Sequence, residues 1–342
     1  MPAFPVAAAW LALLFGISLA GAFAARRYAI GRDLLDHPGE RRSHVVATPR
    51  GGGIGIVLAM LIALAMCAWW SPAQSVSMAL AGAGLLLVAG IGWLDDHRPL
   101  TPWSRLAVHA VAACLLAVVA WRAGGQVADA LMVFVLAMVL VNIWNFMDGI
   151  DGIASLQALV VACAFALLAD DAASRWIALA LAAACLGFLP LNLPRARIFL
   201  GDVGSGAIGY VVALAMALVA TGDGRAGSPA TWMLLLLPPS AFLLDASLTL
   251  GARILRGERW WTPHVGHLYQ RWARAVGHHW PVTFAYAAWA AAAGAVACGT
   301  RSLPEAFIMY AGIAWYLGGG LLWLWSGSDR GRKSDLSGKQ SG

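Results

Sequence analysis

The residues able to do chemistry fall into five short polar stretches, each wedged between long apolar runs. The richest, Asn142-Ile143-Trp144-Asn145-Phe146-Met147-Asp148-Gly149-Ile150-Asp151-Gly152, holds two amides, two carboxylates and two glycines. Asp-Gly pairs are ordinary turn residues, but carboxylates at the edge of an apolar chain mark a functional site. Asp95-Asp96 ends another apolar run. Adjacent carboxylates repel and call for a cation or an arginine, so a divalent metal or a proton-transfer role would explain them. In Phe199-Leu200-Gly201-Asp202-Val203-Gly204-Ser205-Gly206, glycines bracket one carboxylate and one hydroxyl just before a predicted helix. That pattern suits an anion with its Mg²⁺, with backbone N–H groups and the helix dipole for phosphate and Asp202 for the metal. Arg50-Gly51-Gly52-Gly53 follows His44 and offers close backbone approach to a phosphate beside a positive charge. His264 and His267, three apart, share a face if helical. Without a nearby cysteine or third strong ligand, phosphate contact or orientation of a neighbour fits them better than zinc. Carboxylates for Mg²⁺ and Arg/Gly cradles for phosphate are the parts of phosphoryl transfer.

The elements that must position these residues are membrane helices. The chain has 342 residues, 61% hydrophobic and 12% charged, with mean hydropathy +0.73. Soluble domains carry about 25% charged residues, so an integral membrane protein is indicated. The apolar runs match helices crossing a roughly 30 Å hydrocarbon core and are too continuous for barrel strands. The expected fold is all-α with about eleven transmembrane helices, over 6–25, 52–70, 77–94, 106–121, 128–144, 153–169, 176–191, 206–221, 231–250, 282–299 and 305–325. The first run lacks a basic leader and reads as an uncleaved anchor. One polytopic domain spans 1–325, and the basic, Ser/Gly-rich 326–342 reads as a disordered tail. The five cysteines all lie in apolar runs and read as small buried hydrophobes.

Arg and Lys orient the spans. Nineteen of the 23 fall on one side, which the positive-inside rule makes cytoplasmic, with the N-terminus periplasmic and the C-terminus inside. The net charge of +6 reflects those loops, and no nucleic-acid partner is expected. All five polar stretches fall on the basic side. Asp170-Asp171, on the opposite side, reads as a solvated loop, and His278-His279 as interfacial decoration. A site at that face implies one soluble phosphate substrate and one membrane-borne substrate. The rival reading is a multi-pass transporter of a nucleotide- or lipid-linked anion. It would place binding groups near the midplane, often in repeated halves. Here Asp245 is the one acid placed away from the ends of a predicted span, and no repeat is visible.

Taken in order, the polar stretches from Arg41 to Arg271 resemble those of the polyprenyl-phosphate N-acetylhexosamine-1-phosphate transferase family. The resemblance implies a bacterial inner-membrane enzyme in which undecaprenyl phosphate attacks a UDP-N-acetylhexosamine, releasing UMP. This would be the first membrane step of O-antigen or other cell-surface glycan synthesis. It implies Mg²⁺, replaceable by Mn²⁺, as cofactor, surrounding inner-membrane lipids as partners, and leaves room for a homodimer. Asp95 and Asp96 match the family's catalytic Asp-Asp, and His264 and His267 its histidine motif. Asp202 looks like the principal Mg²⁺ ligand, with Asp148 assigned beside it. Asn142, Asn145, Asp148 and Asp151 match positions at the nucleotide-sugar site, with Asn192 and Phe199 near the uracil. His44 and Arg50 match the motif beside the lipid phosphate. His264-Val265-Gly266-His267 followed by Tyr269-Gln270-Arg271 departs from the three consecutive histidines of the peptidoglycan branch and resembles the O-antigen initiating branch. Within that branch the donor sugar is GlcNAc, QuiNAc or FucNAc, and the motifs do not choose.

Overall fold

Runs of Ala, Leu and Val long enough to cross a bilayer must satisfy their backbone within one segment, and the helix is the way a single segment does so. A computed structural model describes residues 4–36, 46–222, 227–258 and 266–338. Its helices are α1 (Phe4–Gly31), α2 (Ile54–Trp70), α3 (Ser75–His97), α4 (Pro102–Arg122), α5 (Val127–Phe146), α6 (Ile153–Leu168), α7 (Ala172–Asn192), α8 (Asp202–Gly222), α9 (Pro229–Leu236), α10 (Ser240–Leu255), α11 (Leu268–Val276), α12 (Trp280–Thr300) and α13 (Glu305–Gly338). A two-residue antiparallel ladder, β1 (Leu35–Asp36) with β2 (Thr48–Pro49), is the one sheet among the described residues.

All eleven apolar runs carry helix, but they are not equivalent. Among the described residues, eight helices are long and apolar enough to cross a membrane. A ninth counts if α9 and α10, bent by 88°, are one broken span. The break falls at Pro238-Pro239, where two missing N–H groups end the ladder. α2 and α6, at 17 and 16 residues, fall short of the other spans. At 1.5 Å per residue they reach only about 24–26 Å.

The bundle is built around α8, which is apolar on every side and buried from Val203 to Thr221. A helix without a polar face belongs in the middle. α3, α5, α2, α4, α6 and α7 surround it. Small residues let these backbones touch: a Cβ on Gly209 would meet Leu140 backbone, and one on Gly92 would meet Asp202 backbone. Local capping starts the neighbours. The Thr101 side chain accepts from Ser104 N at 3.2 Å ahead of Pro102 in α4. Asp171 accepts from Ala173 N and Ser174 N at 2.9 Å, which makes it the cap of α7 rather than a solvated loop residue. Two cysteines, Cys114 and Cys163, are exposed on the helix surface, where only buried ones were expected.

Candidate active site

One end of the bundle gathers the C-terminal ends of α3, α5 and α7 with the N-terminal ends of α4 and α8. Between them lies a cavity of about 240 Å³, lined by Asp36, Arg50, Asp96, Asn145, Asp148, Gly149, Ile150, Asn192, Phe199, Gly201, Asp202, Ser205 and Gln270.

Its wall on the α8 side is fixed by Asp96, whose carboxylate accepts from Asp202 N at 3.1 Å and Val203 N at 3.2 Å. Asp96 is 5% exposed and caps α8 from the neighbouring helix. Gly201 makes this possible. Its φ is +72°, and a Cβ there would stand 2.5 Å from Asp96 Oδ2. The opening glycines are spent similarly, since Gly52 N donates to Phe199 O and Gly53 N to Leu200 O, both at 2.9 Å. The expectation that Gly52, Gly53 and the start of α8 present free N–H groups to a phosphate therefore fails. A carbonyl or the Asp96 carboxylate already occupies those donors, and the glycines serve close backbone packing.

Asp95 points away from its neighbour. Its Oδ1 accepts from Leu100 N at 2.6 Å, and its Oδ2 pairs with Arg105 Nη1 at 2.5 Å. The same nitrogen reaches Asp202 Oδ2 at 2.9 Å, and Arg105 Nη2 reaches Asn145 Oδ1 at 3.3 Å. Asn145 Nδ2 in turn donates to Ser205 Oγ at 3.1 Å. Four helices are thus tied through one guanidinium. Asp95 and Arg105 stand behind Asp202 and Asn145 rather than on the cavity surface.

The loop from Met147 to Gly152 is anchored by buried Met147 and Ile150, which leaves Asp148 on the cavity. Burial, and then the charges of Asp202, Asp96 and Asp151, push the Asp148 carboxyl up to about 8. Gly152, at φ +73°, starts α6 and donates to Asn192 Oδ1 at 2.9 Å. Asn192 Nδ2 donates to Ile198 O at 2.9 Å, so this residue staples two site loops together.

Other expected site residues lie elsewhere. The Asn142 side chain folds back on Met138 O at 2.7 Å. Asp151 pairs with His279 Nδ1 at 3.1 Å, which gives that histidine a structural task instead of an interfacial one. His267 is buried, stacks on Tyr269, and does not line the cavity. Burial lowers its pKa most, against the opposing charge of Asp245 4.0 Å away. His44 and His264 lie outside the described residues.

Beyond Ser205, whose hydroxyl the glycine-rich turn had already marked, four residues were not singled out for the site in the sequence. Arg105 had a signal, because adjacent carboxylates need a compensating cation and it follows Asp95 by ten positions. Asp36 is brought to the cavity by the β1–β2 ladder. Gln270, on α11, has a buried Oε1 without a hydrogen-bond partner among the described residues. Ser205 lies one helical turn from Asp202 and holds Asn145 in place. Asp245 works at a distance from the cavity. It accepts from Leu268 N at 2.8 Å, Tyr269 N at 3.0 Å and Tyr286 OH at 2.8 Å, and so caps α11.

Chemically, the cavity sets carboxylates against Arg50, whose buried Nε has no hydrogen-bond partner among the described residues. No group of three His, Cys, Asp or Glu converges on one point among those residues. That is what a Mg²⁺ site needs least: one or two carboxylates suffice when phosphates and water complete the shell. Asp148 and Asp202 supply hard oxygens, and their mutual repulsion favours a cation.

The comparisons with known proteins point the same way. The family model for glycosyl transferase family 4 matches residues 75–220. The decaprenyl-phosphate N-acetylglucosaminephosphotransferase of Mycobacterium leprae is 31% identical over 302 residues, covering 77% of this chain and 74% of the relative. Its counterpart from Mycolicibacterium smegmatis is 33% identical over 292 residues, covering 74% and 71%. The undecaprenyl-phosphate alpha-N-acetylglucosaminyl 1-phosphate transferase of Yersinia pestis is 27% identical over 284 residues, covering 76% of each. With a multi-helix membrane bundle and its polar cavity at the helix ends, the chain belongs to the glycosyl transferase 4 family of membrane transferases.

Proposed function

We propose that the protein transfers an N-acetylhexosamine 1-phosphate from a UDP-sugar to undecaprenyl phosphate at the cytoplasmic face of the bacterial inner membrane, releasing UMP. The observation that carries this is the single cavity in which Asp148, Asp202, Asn145 and Arg50 meet at the ends of membrane helices. A water-soluble diphosphate can enter there while a lipid phosphate arrives from the bilayer. The printed activities of the mycobacterial and Yersinia relatives make UDP-GlcNAc the first donor to test.

The step is a direct displacement. An oxygen of the lipid phosphate forms a bond to the sugar-bearing phosphorus, and the bond from that phosphorus to the UMP oxygen breaks. Mg²⁺, held by Asp202 and Asp148, would neutralise charge on the diphosphate. Arg50 supplies a guanidinium for phosphate oxygens. Phe199 and Asn192, both on the lining, suit a planar base and its polar edge. No general base is required: a phosphate monoester has a second pKa near about 6 and is already mostly dianionic at neutral pH.

The test is UMP release by purified protein in detergent with Mg²⁺, undecaprenyl phosphate and a panel of UDP-N-acetyl sugars. Lipid-dependent UMP from one donor, lost in Asp202→Ala, is expected. Folded, lipid-bound protein that releases no UMP from any donor would overturn the assignment.

A further inference from the structure

The Arg105 guanidinium sits among oxygens suited to a metal. One nitrogen, Nη1, touches Asp95 Oδ2 of α3 and Asp202 Oδ2 of α8, at 2.5 and 2.9 Å, while Nη2 faces Asn145 Oδ1 of α5. These acceptors come from three helices and the cation from a fourth, α4. All are hard oxygens of the kind Mg²⁺ selects.

The acceptors are held independently of the guanidinium. Asp95 has Leu100 N on its other oxygen, and Asn145 has Ser205 Oγ on its amide nitrogen, which turns the amide oxygen toward Arg105. Asp202 is fixed through its backbone N–H to Asp96. Arg105, by contrast, donates only to these three groups among the described residues, and its side chain is 23% exposed. Each acceptor residue thus keeps a second partner when the guanidinium is absent.

We propose that Arg105 is the metal-free site's own cation: it occupies the Asp202 carboxylate in place of the divalent ion, and the ion binds only as the guanidinium withdraws. This rests on the reading of Asp202 as the cation ligand. Without either positive charge, the Asp95 and Asp202 carboxylates would face each other across the ends of α3 and α8. With Arg105 in place, the bundle stays assembled between turnovers and takes up the ion by exchange.

The experiment is Mn²⁺ binding, followed by the electron paramagnetic resonance of the free ion, on full-length protein in detergent without lipid or nucleotide. Wild type is compared with Arg105→Met, Arg105→Lys and Asp202→Asn. Removing the competitor should tighten Mn²⁺ binding about tenfold in Arg105→Met. Arg105→Lys keeps the charge but loses the fork, and should still bind about threefold more tightly than wild type. Thermal unfolding gives a second readout: metal-free Arg105→Met should melt below wild type, with the gap closing at saturating Mn²⁺. Arg105→Lys equal to wild type would reduce the effect to simple charge repulsion and overturn the proposal, as would unchanged or weaker binding in Arg105→Met. Should Arg105→Met fail to fold, Arg105→Lys alone decides. If Asp202→Asn binds Mn²⁺ as wild type does, or no form binds it, the cation reading itself falls and this proposal falls with it.

Discussion

Asp95 is bonded on both oxygens, to Leu100 N and to Arg105, and this limits what it can do. A carboxylate held by an arginine and an amide is a weak proton acceptor, and the dianionic lipid phosphate has little need of one. Asp95→Asn should therefore lower kcat by about a hundredfold or more, through the loss of Arg105 positioning. Raising the pH should leave that defect in place, so recovery of kcat at alkaline pH in the variant would restore a proton-transfer role. Asp148 makes the opposite case, a carboxyl pushed up to about 8 by burial and by three neighbouring acids. An acid whose folded pKa is raised contributes stability that is present below its ordinary value and lost as the pH rises through the folded one. Metal-free protein should accordingly lose thermal stability between about pH 4 and about pH 8. Asp148→Asn should flatten that slope and raise the melting temperature at the alkaline end by about 2–4 °C, while abolishing turnover. An unchanged slope in the variant would show that Asp148 does not carry the effect.

At the level of elements, two buried carboxylates each start a helix that they do not belong to. Asp96 of α3 caps α8, and Asp245 of α10 caps α11. The second cap matters because α11 carries Gln270 to the cavity and its Tyr269 OH locks onto Phe146 O at 3.0 Å. Asp245→Ala leaves several buried donors without an acceptor and should cost about 2–4 kcal/mol. It should also raise the KM for the UDP-sugar more than it lowers kcat, because α11 is displaced while the Asp202 cluster stays intact. A variant with unaltered KM and melting temperature would remove α11 from the site. These caps also mark where reading the sequence stopped. The helices were legible because their apolar runs are long and their breaks rich in Gly, Pro and Asp. The shared cavity of Asn145, Asp148 and Asp202 followed from polar residues that an apolar chain has no other reason to carry. The partners were not legible, since they are set by packing between distant segments. His279 against Asp151, Arg105 against Asp202 and Asp96 against Val203 N lie 128, 97 and 107 positions apart. Glycines that looked like phosphate cradles were backbone contacts for the same reason: their neighbours come from elsewhere in the chain.

For the whole molecule, the decisive asymmetry is between the two ends of the bundle. At the cavity end the acids are turned inward onto helix starts, Arg105 and one another. At the other end they are spread over separate contacts, with Asp171 on the first turn of α7, Asp170 beside Arg301, and Asp129 accepting from Gly227 N at 3.0 Å and Trp232 Nε1 at 3.1 Å. The central α8 runs between these ends without a polar face, buried from Val203 to Thr221. This geometry disfavours the transporter reading, in which binding groups lie near the midplane and open to both sides. It also makes orientation decisive, because a nucleotide-sugar donor is present on the cytoplasmic side. The loop that carries Arg98 and the first turn of α4 that carries Arg105 belong to the arginine-rich face. With the five native cysteines replaced by alanine, a cysteine introduced at Arg98, exposed beyond α3, should react with a membrane-impermeant maleimide only after the cells are opened. One introduced at Asp170, at the opposite end, should react in intact cells. The reverse pattern would put the cavity outside, beyond reach of a cytoplasmic UDP-sugar, and the proposed reaction would fail on topology alone. Labelling of both positions from outside would mean that the bundle does not separate its two ends.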